Sequence, residues 1–241
     1  MLSHGKGSWV SDVLDRKYLD FSAGIAVNAL GHADEQLASL AGEQAARMVH
    51  TSNVWYNEWA GELAKLLVET TRAEGGLGLG KDEDGGGAKV FFSSSGTEAN
   101  EGAIKFARKY GKETWATTKN ARWEDSPKTR VVCFTDGFHG RSMGALSATC
   151  NPKYQLPFTP LVPGFDLVPF GDADGARKAI TQDTCAVLIE PIQGEGGVKE
   201  APLDFLRVLR AECDRVGAVL IYDEVQVWSP TATCHCHCHC H

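Results

Sequence analysis

The sequence has no excess of positive charge: 24 Lys and Arg stand against 31 Asp and Glu, a formal net charge of −7. A surface of that sign repels phosphate backbones and anionic headgroups, so neither nucleic acid nor an acidic membrane is expected as a partner. No apolar run reaches the roughly 18 residues that span a bilayer. The opening Met1-Leu-Ser-His-Gly-Lys-Gly7 lacks the apolar stretch of a secretory signal and the Arg-rich pattern of an organellar presequence. Taken at face value, that start keeps the chain in the cytoplasm. Spaced cysteine pairs are missing as well. Four of the eight cysteines sit in Cys234-His-Cys-His-Cys-His-Cys-His241, while Cys133, Cys150, Cys185 and Cys213 occur singly among apolar residues. The single ones read as buried, reduced thiols of an intracellular protein. The contiguous two-residue alternation of the repeat does not match the spaced ligand pairs of structural zinc sites. It reads as translated low-complexity sequence, and no metal site is expected.

What remains is globular in composition, 43% hydrophobic and 23% charged over 241 residues, enough for one large domain or one domain and part of another. Residues 9–31 alternate apolar and polar around turn formers and predict a small hairpin followed by a Gly-rich loop from Ala23 to Gly31. Helical spacing is expected at 34–49 and 57–72. The Gly- and Asp-rich stretch Gly75–Gly87 and the polar stretch Thr117–Thr129 are expected to be surface loops. From Lys89 onward strands and helices alternate. Val90–Phe92 predicts a short strand. Thr97–Tyr110 predicts a helix with Ala99, Ala103, Phe106, Ala107 and Tyr110 on one face and Gly111 as its cap. Strands are expected at 130–135, 166–170 and 185–190. Pro202 opens a helix with a stripe of Leu203, Leu206, Leu209, Cys213 and Val216, which Gly217 ends before the strand Ala218–Tyr222. This alternation predicts an α/β fold with a mostly parallel sheet and flanking helices.

Ligands of such sheets bind beyond the carboxyl ends of the strands, and four motifs fall at strand ends: Ser93-Ser-Ser-Gly-Thr97, Phe138-His-Gly-Arg141, Ile189-Glu-Pro-Ile-Gln-Gly-Glu-Gly-Gly197 and Asp223-Glu-Val-Gln226. The first links a strand to a helix N-terminus, where free N–H groups suit a phosphate and Gly96 permits close approach; an ordinary Ser/Thr cap is the alternative. A carboxylate at Asp223 needs a cation or several donors. A protonated pyridine nitrogen would serve, and so would a nearby Arg or a loop cap. Phe138 could stack on a planar ring and Arg141 could clamp a carboxylate. His139 could carry a proton or stack, but a His beside a turn is more often a hydrogen-bonded loop residue, and no catalytic role is assigned to it. Glu190 and Glu195 read either as surface loop carboxylates or as site residues.

In this order the motifs resemble the class III family of pyridoxal-phosphate aminotransferases, of fold type I, over about residues 5–226. Tyr18 through Ala33, Phe138 through Thr149 and Pro160 through Phe165 are most similar to its acetylornithine branch; the ornithine and 4-aminobutyrate branches share the core motifs. The resemblance implies pyridoxal 5'-phosphate as cofactor. Its phosphate would lie on Gly96 and Thr97, its ring on Phe138, its ring nitrogen on Asp223 (the catalytic candidate) and its hydroxyl on Gln226. Arg141 would hold the substrate α-carboxylate, and Glu195 would be the gate residue between donor and acceptor. The implied reaction moves the δ-amino group of N2-acetylornithine to 2-oxoglutarate in arginine biosynthesis, in a homodimer of the mitochondrial matrix.

The resemblance divides the chain into residues 1–45 (part of the small domain), 46–226 (a cofactor-binding large domain incomplete at its C-terminus) and 227–241 (an aberrant tail). After Gln226 the family's Gly-rich, Arg-containing continuation gives way to Val227-Trp-Ser-Pro230, and no lysine follows Lys199. The Schiff-base lysine is therefore expected to be missing, since Lys105, Lys109 and Lys178 fall in helical, surface-facing patterns, and these 241 residues alone are expected to be inactive. An alternative expectation is a catalytically dead chain that pairs with and modulates a full-length subunit.

Overall fold

The computed structural model describes residues 1–25, 27–52, 54–73 and 88–226; the expected Gly75–Gly87 loop, Val227–Pro230 and the Cys-His repeat lie outside these residues. The chain divides into two compact units, Met1–Lys65 and residues 66 onward. In the first, β1 (Leu2–Lys6), β2 (Trp9–Asp12) and β3 (Lys17–Leu19) form an antiparallel sheet in that order. The expected hairpin is thus present with one more strand. Asp12 fixes its turn: the carboxylate accepts from the N–H groups of Leu14 and Arg16, from Arg16 Nε and from Tyr18 Oη. The helix α1 (Glu35–Arg47) is capped by Asp34, which accepts from Leu37 N–H, and α2 is Glu58–Ala73.

The second unit is built on four parallel strands in the order β5 (Phe165–Val168), β4 (Arg130–Phe134), β6 (Thr184–Ile189), β9 (Val219–Tyr222), and β7 (Ile192–Gln193) pairs antiparallel with β8 (Lys199–Glu200). Every residue of β6 is buried, as a central strand covered on both faces requires, and its run Cys-Ala-Val-Leu-Ile shows no polar alternation. One face of the sheet packs Val132, Phe134, Val187 and Ile189 against α6 (Ala173–Ala179) and α7 (Leu203–Val216). α7 contributes Phe205, Leu206, Leu209, Cys213 and Val216, and truncating a buried Leu such as Leu209 to Ala costs about 2–5 kcal/mol. Gly217 ends α7 in the left-handed conformation. The other face packs Val131, Cys133, Cys185, Ala186 and Leu188 against Ile104 and Ala107 of α3 (Gly96–Lys119). A register shift between Arg130↔Thr184 and Val131↔Ala186 lets neighbouring Cys185 and Ala186 share that side. The cysteines at 133, 185 and 213 are buried, Cys150 is partly so, and all four are free thiols.

Several expectations are corrected. α3 does not stop at Gly111 but runs to Lys119, where Asn120 caps it in the left-handed conformation. Gly111 is there because α3 crosses β6 closely: a Cβ would lie 3.1 Å from Cys185 Cβ and 3.2 Å from Lys128 Cβ. The buried stripe is Asn100, Ile104, Ala107 and Gly111, while Phe106 and Tyr110 are more than half exposed. Val90–Phe92 is not a strand, because no described strand offers it a ladder. The 117–129 stretch is not wholly a surface loop, since Ser126 and Lys128 are buried. Lys128 Nζ donates to the carbonyls of Thr184 (3.1 Å) and Val216, which ties the end of α7 to the start of β6. Three short helices were not expected: α4 (Met143–Ala148), α5 (Pro152–Gln155) and α6.

Candidate active site

The carboxyl ends of the parallel strands deliver the expected residues to one region. β4 ends at Phe134 and leads to Phe138 and His139, β6 ends at Ile189 before Glu190, and β9 ends at Tyr222 before Asp223. The Asp223 N–H continues the ladder by donating to the Ile189 carbonyl (2.8 Å). The first turn of α3 lies beside these ends. Asn100, one turn beyond Gly96, donates from Nδ2 to Asp223 Oδ2 and to the His139 carbonyl, both at 2.8 Å.

Asp223 is buried, and its partners are a histidine and an amide, not the arginine considered from the sequence. His139 Nδ1 lies 2.8 Å from Asp223 Oδ2, with both side chains almost wholly buried. Oδ1 accepts from Val225 N–H at 3.1 Å. Burial pushes this carboxyl up, but the His139 ring, Asn100 and the Val225 N–H together hold it below the usual carboxylate range. Asp223 is therefore an anion at neutral pH. His139 is in turn fixed by its own N–H, which donates to Thr149 Oγ1 at 2.8 Å. The structure thus gives His139 a part that its sequence context did not reveal. Glu190 is buried too, accepting from Phe138 N–H (2.9 Å) and Gly194 N–H (3.4 Å), and burial pushes its carboxyl up.

At the start of α3, Ser95 is the cap and accepts from Glu98 N–H. The N–H groups of Gly96 and Thr97 have no partner among the described residues. A Cβ on Gly96 would strike Val225, which packs over that turn. The Thr97 hydroxyl is already engaged: Oγ1 accepts from the N–H groups of Arg141 (3.2 Å) and Ser142 (3.3 Å) and lies 2.8 Å from Ser142 Oγ. Any anion bound here would therefore meet Thr97 through its N–H group.

Arg141 is exposed, with its guanidinium carbon 3.9 Å from the centroid of the Tyr154 ring and 6.0 Å from that of Phe138. Tyr154 Oη donates to Glu195 Oε2 at 3.3 Å, so one ring links the two expected substrate residues. Gly137, Phe138, Asn151, Tyr154, Glu195 and Lys199 border a cleft of about 280 Å³. Lys199 is held by Asp136 at 3.1 Å. Gln226 packs on Gly194, leaving no space for a side chain at 194. All seven expected residues (Gly96, Thr97, Phe138, Arg141, Glu195, Asp223 and Gln226) thus lie around these strand ends. Sequence reasoning missed Asn100 and Tyr154, and it read His139 as a hydrogen-bonded residue without naming Asp223 as its partner. Asn100 had a signal, being the one polar member of an otherwise small or apolar i, i+4, i+7, i+11 stripe; Tyr154 had none.

Comparison with known proteins adds independent findings. The Aminotransferase class-III family profile matches residues 1–240. The chain is 51% identical over 222 residues to mitochondrial acetylornithine aminotransferase of Neurospora crassa, covering 92% of this chain and 45% of that protein. It is 46% identical over 222 residues to acetylornithine aminotransferase of Methanopyrus kandleri, covering 92% of this chain and 50% of that protein. Among solved structures, N-acetylornithine aminotransferase of Stenotrophomonas maltophilia matches with a TM-score of 0.68 at 34% identity, over 94% of this chain and 50% of that one. Ornithine aminotransferase of Toxoplasma gondii matches with a TM-score of 0.80 at 26% identity, over 99% and 53%. The chain spans about half the length of the curated relatives it matches.

Proposed function

Because the chain belongs to the class-III aminotransferase family, whose members depend on pyridoxal 5'-phosphate, we propose that it serves the transfer of the δ-amino group of N2-acetylornithine to 2-oxoglutarate in arginine biosynthesis. The observation that carries this reading is Asp223, a buried anion held by His139 and Asn100 beside the first turn of α3. The residues present fit the cofactor. Free N–H groups at the positive end of a 24-residue helix suit a phosphate. A buried carboxylate with an oxygen that accepts one described hydrogen bond suits a protonated ring nitrogen. When bound, the cofactor supplies the electron sink for chemistry at the amino-bearing carbon.

The chain's own residues do the rest. Gly96 and Thr97 hold the phosphate through their N–H groups, Asp223 keeps the ring nitrogen protonated, Phe138 lies against the ring and Gln226 bonds its hydroxyl. Arg141 binds the α-carboxylate of the donor, which directs the far amine inward, and Glu195 gates the exchange with the dicarboxylate acceptor. We assign residues 46–226 to the cofactor-binding domain, in a homodimer of the mitochondrial matrix, where several relatives are named. Among the described residues no helix is long and apolar enough to cross a membrane.

Two measurements test the reading. Fluorescence titration with pyridoxal phosphate is expected to show saturable binding that Asp223→Asn weakens at least about tenfold, since a charge-assisted bond is lost; equal affinity refutes the role of Asp223. Completed with the lysine-bearing part that its relatives carry, the chain is expected to form glutamate from 2-oxoglutarate with the highest kcat/KM for N2-acetylornithine. Ornithine in the lead supports the second reading, favoured by the higher TM-score of the ornithine enzyme. Cofactor binding without turnover of any donor supports a chain that modulates a catalytic subunit; no lysine ion-pairs with Asp223 or Glu190 among the described residues.

A further inference from the structure

Glu101 has no part in the site as assigned above, yet its carboxylate is heavily used. It lies one turn past Thr97 on α3, and its Oε1 accepts from Ser142 Oγ (2.6 Å), Gly144 N–H (2.7 Å) and Ala145 N–H (3.0 Å). The last two are N–H groups of the first turn of α4. Ser142 occupies the cap position of α4 but makes no capping bond with its own side chain. The cap is supplied by a carboxylate from another helix, whose charge suits the positive end of α4. Glycine is required on both sides of this junction: a Cβ on Gly144 would run into the Glu101 carboxylate, and one on Gly140, at φ +135°, would run into Thr97.

Thr97 and Glu101, on successive turns of α3, therefore grip the segment that carries Arg141. Thr97 takes the N–H groups of Arg141 and Ser142, and Glu101 takes the Ser142 hydroxyl and the N–H groups of Gly144 and Ala145. The same first turn of α3 presents the free N–H groups of Gly96 and Thr97. We propose that Glu101 is a positioning residue that fixes Arg141 relative to the Gly96–Thr97 turn, and so sets the separation between the site for the substrate's carboxylate and the site for the phosphate. A donor would be selected by the length between its carboxylate and its reacting amine. The inference rests on the roles given above to Arg141 and to the 96–97 turn.

The test compares the full chain, completed in the same way, with its Glu101→Ala and Glu101→Gln variants. Amide exchange at Gly144 and Ala145 is expected to accelerate about tenfold in Glu101→Ala, along with a rise of about tenfold in KM for N2-acetylornithine. kcat and the affinity for pyridoxal phosphate stay within about threefold. Glu101→Gln keeps an acceptor oxygen and restores both readouts to within about threefold of the parent. Unchanged exchange and KM in Glu101→Ala overturn the proposal, and so does a loss of cofactor affinity as large as the rise in KM, which marks a merely structural role. Should Glu101→Ala fail to fold, Glu101→Asp, one methylene short, takes its place with the same outcomes. If no donor yields glutamate, the functional reading fails, while exchange at 144 and 145 still decides whether Glu101 fixes the Arg141 segment.

Discussion

Replacing His139 by Leu removes the ring that hydrogen-bonds the Asp223 carboxylate and leaves a side chain of similar volume, so the effect is electrostatic before it is steric. Both groups are almost wholly buried and 2.8 Å apart. Removing a hydrogen-bond donor from a buried carboxylate costs about 1.5–3 kcal/mol. Asn100 and the Val225 N–H still face the carboxylate, which puts the expected loss near the middle of that range, about 2 kcal/mol. The pH dependence identifies the cause. In the parent the folded carboxyl lies below its unfolded value, so its stabilisation is fully present above about pH 3.9 and is lost as pH falls through the lower, folded value. Without the ring, burial dominates and the folded value rises above the unfolded one. The variant's deficit then shrinks as the solution is acidified, because the protonated carboxyl no longer needs a partner. Urea unfolding of both proteins at about pH 7 and about pH 5 measures this. A deficit under about 1 kcal/mol, or one that grows on acidification, refutes the account of Asp223 as a charge held by His139.

Gly111→Val adds a branched side chain where a Cβ already lies 3.1 Å from Cys185 Cβ; a loss of about 1–3 kcal/mol in urea unfolding is expected, and no loss refutes the close crossing of α3 over β6. Burial pushes the Lys128 ammonium down. Between that lowered value and the unfolded value of about 10.4 the unfolded chain binds the extra proton, so the parent gains stability relative to Lys128→Met as pH rises through this window; a relative decline there refutes the buried charge. Peptide-resolved alkylation at about pH 8 should leave Cys213 unmodified, since burial pushes its thiol up to about 12, while Cys150 reacts fastest of Cys133, Cys150, Cys185 and Cys213. Rapid labelling of Cys213 refutes its place in the core.

The reach of the sequence is clearest at the strands. β4, β6 and β9 are apolar runs between turn formers; β6 is buried throughout and β4 nearly so, and a strand covered on both faces can be little else, while β9, at the edge of the described sheet, keeps the apolar run though its residues are only half-buried. The expected Val90–Phe92 strand failed for a related reason: a strand exists only with a neighbour, and apolar character does not say whether one is there. Gly111 misled in the other direction. It has the residue type of a helix end, but its actual cause is the closeness of β6, which no local pattern records. In the site, Asp223, Phe138 and Arg141 were legible because each follows a strand in a distinctive motif. Tyr154 was not, because its link to Arg141 and Glu195 joins a short helix to two separate loops.

By itself the sequence determined the alternation of elements, the end of the sheet at which chemistry gathers and the family to which the chain belongs, because periodicity and motif are local. Only the tertiary structure decided that His139 and Asn100 hold Asp223, and that Glu101 caps a helix through N–H groups 43 and 44 residues further along the chain. A hydrogen bond depends on where two groups meet in space, and those positions are set by the packing of α3 across the sheet.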